Sequence, residues 1–357
     1  MKKILFLLTI SCLAFTSCSK DNGDPITLVK LSNEIVAHNK IAERFIEYPG
    51  DNYVEAKGQM EFSRPEPINL SWNVKSGYES AKYVVKVSEN VNMSNPWIYE
   101  CSTTTYNLSN YKINTQYYWT VETDKYTTQP STFKTKETTV RMIYIDGVTN
   151  FRDLGGYTTD SGKKVKQGLL YRTGRFNLSS TNDPIKEITS AGEDQLMNYL
   201  NMKTELDLRF TNYESGGLNG ESVVDGLEYI RVGMTSNQNI ATNNKTQIRT
   251  IFEDILSDED KYPLCFHCNI GTDRTGCLAY IILTLLGVSK TDAMCDYLLS
   301  NYAKIGDSRK FGSLPYPEMF DEEEGDTLPE KVTNYLVNTC DVSLEAINKV
   351  KSILIEN

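Results

Sequence analysis

One run in this chain could do chemistry: His267-Cys268-Asn269-Ile270-Gly271-Thr272-Asp273-Arg274-Thr275-Gly276. It sets a cysteine and an arginine at Cys-x5-Arg spacing, between the strand-like run 263–267 and the apolar run 277–286. That order predicts a strand, a tight loop and a helix N-terminus. Backbone N–H groups and the helix dipole then converge on one point, which suits a doubly charged anion. A thiol has an ordinary pKa of about 8.5, which falls to about 3.5–7.5 at a helix N-terminus or beside positive charge. As a thiolate, Cys268 is a nucleophile aimed at phosphorus. Arg274 can fork onto two oxygens of the anion, a geometry that lysine does not copy. Thr275 can offer its hydroxyl to the departing sulfur. The bare spacing says little in a chain with 8 cysteines. The preceding His267, the internal Gly271 and the Asp-Arg-Thr-Gly ending make chance a poor explanation.

Elements that could position this loop run from residue 141 to the end of the chain. Strand signals fall at 142–145, Leu170-Tyr171-Arg172, 205–210, 227–232 and 263–267. Helix patterns cover 190–199, opened by the capping-box spacing Ser190-x-x-Glu193, then 247–256 and 275–286, the last ending at Gly287. Strands alternating with helices predict an α/β domain over 141–357, a mostly parallel sheet flanked by helices. Ligands in that architecture lie beyond the carboxyl ends of the strands, where Cys268 falls.

The 357 residues suit about two domains. Runs at 68–74, 83–87, 105–108, 117–123 and 132–135 alternate as strands between Gly, Asn, Ser and Pro turns. Leu70-Ser71-Trp72, Tyr83-Val84-Val85-Lys86-Val87, Leu108, Tyr117-Tyr118-Trp119-Thr120-Val121 and Phe133-Lys134-Thr135 together resemble a fibronectin type III domain. This predicts an all-β sandwich over 60–138, serving as a spacer. Residues 18–59 are a tether and an unassigned segment, in which 35–46 form a short helix or an irregular first strand. At the N-terminus, Lys2-Lys3, the apolar stretch 4–15 and Thr16-Ser17-Cys18 resemble a bacterial lipoprotein signal. Phe15 stands where leucine is usual. The expectation is a signal peptide over 1–17, lipid on Cys18 and a cell-envelope location. The protein would be an outer-membrane lipoprotein, periplasmic or surface-exposed, held to the membrane by its anchor. A net charge of −10 argues against a nucleic-acid binder and confines phosphate recognition to a local site. Nothing in the chain sets an oligomeric state.

Asn150-Phe151-Arg152-Asp153-Leu154-Gly155-Gly156, Leu170-Tyr171-Arg172, Asp207-Leu208-Arg209 and the loop itself resemble the bacterial secreted tyrosine/lipid phosphatase family. This is a branch of the cysteine-dependent protein tyrosine phosphatases, and the likeness covers about 145–355, including the closing run Val342-Ser343-Leu344-Glu345-Ala346-Ile347. It implies hydrolysis of a phosphorylated protein or small phosphomonoester through a phosphocysteine on Cys268, with no cofactor and no metal. Arg274 would hold the phosphoryl group, with Asn269, Ile270, Gly271, Thr272 and Gly276 completing the cradle. His267 would orient the loop and support the thiolate. Asp273 would be the general acid, with Asp207 as the alternative. Arg152 and Asp153 would form a structural ion pair under the loop.

In one respect the chain departs from the family. Phosphoinositide-directed members carry lysine where this chain has Thr272, so phosphotyrosine or a simpler monoester is favoured. Lys304, Arg309 and Lys310 could supply cations from a lid over 303–311, and 312–327 could shape access. Two rival readings compete with this one. Cys265 and Cys268 form a Cys-x-x-Cys pair, but zinc lacks further ligands at sensible spacing. A redox role leaves Gly271, Asp273, Arg274 and Gly276 without a purpose, so Cys265 is expected as a strand residue able to protect Cys268 from oxidation. The other rival is a non-catalytic cell-surface binding lipoprotein on the same fold, against which the intact cysteine, arginine and aspartate argue.

Overall fold

A computed structural model describes residues 23–32, 34–47, 58–177, 187–210, 220–236, 239–306 and 318–357. The expected signal 1–17, the lipidation site Cys18, and Arg309 and Lys310 lie outside the described residues.

Seven strands make an antiparallel sandwich: β1 (Ile26–Leu28), β2 (Ile68–Val74), β3 (Tyr83–Ser88), β4 (Trp97–Cys101), β5 (Thr105–Leu108), β6 (Gln116–Glu122) and β7 (Ser131–Lys134). One sheet has the order β1-β2-β5 and the other β4-β3-β6-β7. Alternate residues face inward because side chains of a strand point to opposite faces. Trp72, Tyr83, Val85, Val87, Tyr117, Trp119, Val121 and Phe133 thus form one core. The sequence reading missed two strands. β4 is an edge strand whose residues are only half-buried or exposed, so its alternation is faint. β1 has three residues and lies in the supposed tether.

Between β1 and β2 the chain leaves the sandwich. Helix α1 (Lys40–Glu47) buries Ala42 and Phe45 in the core of the α/β domain, and Phe45 packs against Tyr302 with ring centroids 5.0 Å apart. Residues 58–62 then run beside 301–306, joined by Gly58 N–H to Asn301 O (2.7 Å), Phe62 N–H to Tyr302 O (2.5 Å) and Gly306 N–H to Gly58 O (2.8 Å). The boundary expected near residue 60 is therefore not a simple one. The sandwich starts at residue 26, and both α1 and residues 58–62 belong to the α/β body.

Nor is the sandwich a free spacer. Arg141 donates to Asn110 O (2.5 Å) and Tyr111 O (3.1 Å) on the sandwich side and to Asp153 (2.7 Å) on the other. Ile113 and Gln167 exchange two hydrogen bonds, and Trp97 stacks on Tyr199 at 5.6 Å.

The third sheet has six strands among the described residues: β8 (Arg141–Met142), β9 (Arg152–Asp153), β10 (Leu170–Thr173), β11 (Thr204–Asp207), β12 (Glu228–Arg231) and β13 (Leu264–His267), in the order β12-β11-β13-β10-β9-β8. Four are parallel; β9 and β8 pair antiparallel at one edge. The sheet is thus mixed, because its first strands are joined by loops rather than helical crossovers. Helices α2 (Ser190–Asp194), α3 (Ile240–Asn243), α4 (Lys245–Thr250), α5 (Asp273–Leu285), α6 (Lys290–Leu298), α7 (Leu328–Asn334) and α8 (Leu344–Leu354) complete this domain. The N-cap of α2 is Thr189, whose hydroxyl accepts from Gly192 N, rather than Ser190 as the capping-box spacing suggests. Helix α5 runs through the middle, with every residue after Asp273 buried. That explains its apolar character on all sides.

Candidate active site

Register brings the site together. Thr173 of β10 and Asp207 of β11 both lie opposite His267, the last residue of β13. The three parallel strands therefore end level, and the chain turns from His267 through residues 268–272 into α5. Gly271 takes φ +69°, and a Cβ there would sit 2.2 Å from Thr173 O, so only glycine lets the loop lie this close to β10. A Cβ on Gly276 would come 2.6 Å from the Tyr297 ring, so α5 packs on α6 through that glycine.

The loop is held from beneath by a buried polar network. The side-chain amide of Asn150 donates to Ile270 O (3.1 Å) and Gly271 O (2.9 Å), and Arg172 Nη2 donates to Gly271 O (2.6 Å). Both anchors are themselves fixed. Arg152 donates to Asn150 Oδ1 (2.5 Å) and to Asp296 Oδ1 (3.0 Å), while Arg172 pairs with the other oxygen of Asp296. Burial opposes the charge on Asp296, but Arg152 and Arg172 outweigh it and keep its carboxyl below the usual range. The carbonyls of Ile270 and Gly271 are thus both held by side chains beneath the loop. Thr272 is buried, its hydroxyl near Asn150 Nδ2 (3.5 Å) and Ile270 O (3.4 Å).

Cys268 is 2% exposed at the floor of the cradle. Burial alone would raise its pKa. The Arg274 charge and the Thr275 hydroxyl and backbone N–H outweigh that and hold the thiol below its ordinary value, against a smaller opposing push from Asp273. Arg274 is buried, with Nη1 donating to Met234 O (3.2 Å) and Leu208 O (3.5 Å). Asp273, the first residue of α5, is only half-buried. Asn269, at the loop's start, bonds through its side-chain oxygen to Arg175, whose own charge burial disfavours, bringing its pKa to about 10.

His267 faces away from the sulfur and braces the strand ends. Nε2 lies 2.8 Å from Glu205 Oε1 and Nδ1 lies 2.9 Å from Cys268 O, so an imidazolium donates to both. Burial opposes that charge, but Asp207 and Glu205 prevail and raise the pKa. Asp207 is saturated: Arg209 reaches both its oxygens at 2.8–2.9 Å, and the Tyr229 hydroxyl donates at 2.7 Å. Despite burial, His267, Arg209 and Tyr229 hold it ionised below the carboxylate norm. A carboxylate so held has no proton to give. Among the described residues no group of three or more His, Cys, Asp or Glu could hold a metal.

Two expected contacts are redrawn. Asp153 pairs with Arg141, not Arg152, and accepts from Gly155 N and Gly168 N, all at 2.7 Å. It braces the sheet edge, while Arg152 serves the loop. Cys265 packs in the cluster with Tyr171 and Leu196, whereas Cys268 belongs to the cluster around α5. The two sulfurs thus lie on opposite faces of the sheet, and Cys265 cannot shield Cys268 as a disulfide partner. Sequence reasoning also missed Asp296, Glu205 and Arg175. Asp296 had a signal: an acid inside the apolar run Cys295-Asp296-Tyr297-Leu298-Leu299 is rarely buried without a partner.

A model of the tyrosine phosphatase family matches residues 143–351, more than half of the 357-residue chain. A putative tyrosine-protein phosphatase of Cupriavidus necator is 28% identical over 172 residues, 44% of this chain and 63% of that protein. A tyrosine-protein phosphatase of Nostoc commune is 26% identical over 133 residues, 32% of this chain and 45% of the relative. The chain thus spans less than two thirds of the length of either. Among solved structures, the core catalytic domain of the PP-IP phosphatase SIW14 of S. cerevisiae aligns with TM-score 0.31 and 26% identity, covering 43% of this chain and 81% of that one. TpbA of P. aeruginosa aligns with TM-score 0.30 and 14% identity, covering 50% and 96%.

Proposed function

The chain belongs to the tyrosine phosphatase family, and on that premise we propose that it hydrolyses phosphomonoesters through a phosphocysteine on Cys268. The observation that carries this reading is the buried Cys268 thiol held below its ordinary pKa by Arg274 and Thr275 at the start of α5. The thiolate attacks phosphorus; the S–P bond forms as the bond to the leaving oxygen breaks. Asp273 protonates that oxygen, Asp207 being committed to Arg209 and Tyr229. Water then attacks phosphorus and gives its proton to Asp273. The S–P bond breaks, inorganic phosphate leaves, and the Thr275 hydroxyl favours the returning thiolate. Arg274 and the loop N–H groups hold the phosphoryl oxygens throughout.

We take the substrate to be protein phosphotyrosine. Phe210, 56% exposed three residues beyond the end of β11, lies two residues from Leu208, whose carbonyl Arg274 touches. We read it as an apolar surface for an aromatic leaving group. Thr272 adds no second cation for a polyanionic headgroup. We read the sandwich as fibronectin type III-like and place the protein in the cell envelope, anchored through lipid on Cys18. The deciding experiment is p-nitrophenyl phosphate hydrolysis by wild type and Cys268→Ser. Complete loss in the variant, with a phosphoprotein trapped from wild type but not from Cys268→Ser, is the expected outcome. Activity surviving in Cys268→Ser would remove the mechanism.

A further inference from the structure

Glu61 lies far outside the family-matched residues 143–351, yet its carboxylate sits at the edge of the site. Its Oε2 accepts from the Thr149 hydroxyl and from Lys304 N (3.3 Å); its Oε1 accepts from Ser63 N (3.2 Å) and Ser63 Oγ (2.5 Å). These contacts join the two segments that support the cradle. Thr149 precedes Asn150, the residue that draws down Ile270 O and Gly271 O, and Thr149 O accepts from Gly174 N at 3.0 Å. Lys304 follows Ser300–Tyr302, where Ser300 Oγ lies 3.3 Å from Asn150 Nδ2 and 3.4 Å from Arg172 Nη2. Glu61 is itself fixed: Gly58 and Phe62 pair with Asn301 and Tyr302 along the backbone, and Asn39 Nδ2 donates to Phe62 O at 2.5 Å.

We propose that Glu61 is a positioning residue of the reaction, a strap from the segment before β2 that ties Thr149 to Lys304 and so sets the height of the cradle under Cys268. The inference rests on the hydrolase reading of the same site. It makes the working unit larger than the family domain. Both α1 and residues 58–62, which lie between β1 and β2 in the chain, are part of the catalytic body. A carboxylate suits the task because it accepts at both oxygens at once. Its removal frees the Thr149–Asn150 turn to shift, and a displacement of about 1 Å in a site of this kind costs about a hundredfold in rate.

The test uses the full chain. Glu61→Ala is expected to lower kcat/KM for p-nitrophenyl phosphate by about tenfold to a hundredfold. It should also weaken inhibition by inorganic phosphate and move the pH profile of Cys268 alkylation by iodoacetamide, followed on the Cys268 peptide by mass spectrometry, to higher pH. Glu61→Gln, which keeps one acceptor oxygen, should recover most of each. The exposed Glu66→Ala on the same segment should match wild type in all three. Should Glu61→Ala fold poorly, Thr149→Val must reproduce the shift and Thr149→Ser must not. A Glu61→Ala enzyme with lowered Tm but wild-type kcat/KM, phosphate inhibition and alkylation profile would overturn the proposal. An inactive wild type whose alkylation profile still shifts on losing Glu61 would support the strap and sink the hydrolase reading instead.

Discussion

At Cys268 burial pushes the thiol's pKa up, while the Arg274 charge and the Thr275 hydrogen bonds pull it down and prevail. Asp207 shows the same competition: it is buried, and His267, Arg209 and Tyr229 hold it ionised. Asp273, at the start of α5, is half-buried and is the acid we propose. The two therefore fail differently when changed to asparagine. Asp273→Asn should cost about 10²–10⁴ in kcat for esters with poor leaving groups and far less for good ones. Asp207→Asn leaves the buried Arg209 charge underpaired and should cost about 3–5 kcal/mol of stability, with a rate loss that ignores the leaving group. Measuring kcat against leaving-group pKa for both variants separates them; a steeper slope for Asp207→Asn would exchange the roles. The five residues of the proposed chemical motif, His267, Cys268, Asp273, Arg274 and Thr275, were singled out from the sequence because the proposed chemistry restricts their types and their spacing is local. Asp296 and Glu205 were not, since their partners lie on other elements.

Elements act here through their ends. Three parallel strands finish level at His267, and α5 begins where they stop. Arg152 from β9, Arg172 from β10 and Asp296 from α6 meet beneath the loop. Losing Asp296 from this buried network should cost about 3–5 kcal/mol, because Arg152 and Arg172 would stay charged without their shared carboxylate. The segment before β2 carries a second buried group. His38 donates from Nε2 to Val140 O at 2.6 Å. Burial lowers its pKa to about 4, the Val140 bond opposing and Lys136 adding to the fall. The folded value is thus below the unfolded value of about 6.5, so the unfolded chain takes up the extra proton. This contribution is complete above pH 6.5 and is lost as pH falls towards 4, by about 3 kcal/mol. Denaturant unfolding between pH 7 and 4 should show that slope in wild type and a flatter one in His38→Gln. Equal slopes would mean that His38 does not report the docking of its segment.

At the scale of the molecule, two bodies share one interwoven chain. The strands of the sandwich were readable from alternation, as was the helix–strand order of the catalytic body. Edge strand β4, three-residue β1 and the crossing of α1 were not, because short or half-buried elements have no period to read. The docking of the sandwich through Arg141, Trp97 and Gln167 holds it against the catalytic body rather than at the end of a flexible arm. The lipid anchor proposed on Cys18 has its own test. Cys18→Ala should abolish labelled palmitate incorporation and release the protein into the soluble fraction; unchanged labelling and partition would remove the anchor.

What the sequence by itself determined is local: a cysteine, an arginine and an aspartate within one loop, between a strand and a helix whose patterns span a few residues. Tertiary structure alone decided the rest. It paired Arg152 with Asp296 and Asp153 with Arg141, turned Cys265 away from Cys268, and brought Glu61 to the loop's support. Those outcomes depend on register and on which face of the sheet a side chain meets. A one-residue shift in either reverses them, and no spacing along the chain records it.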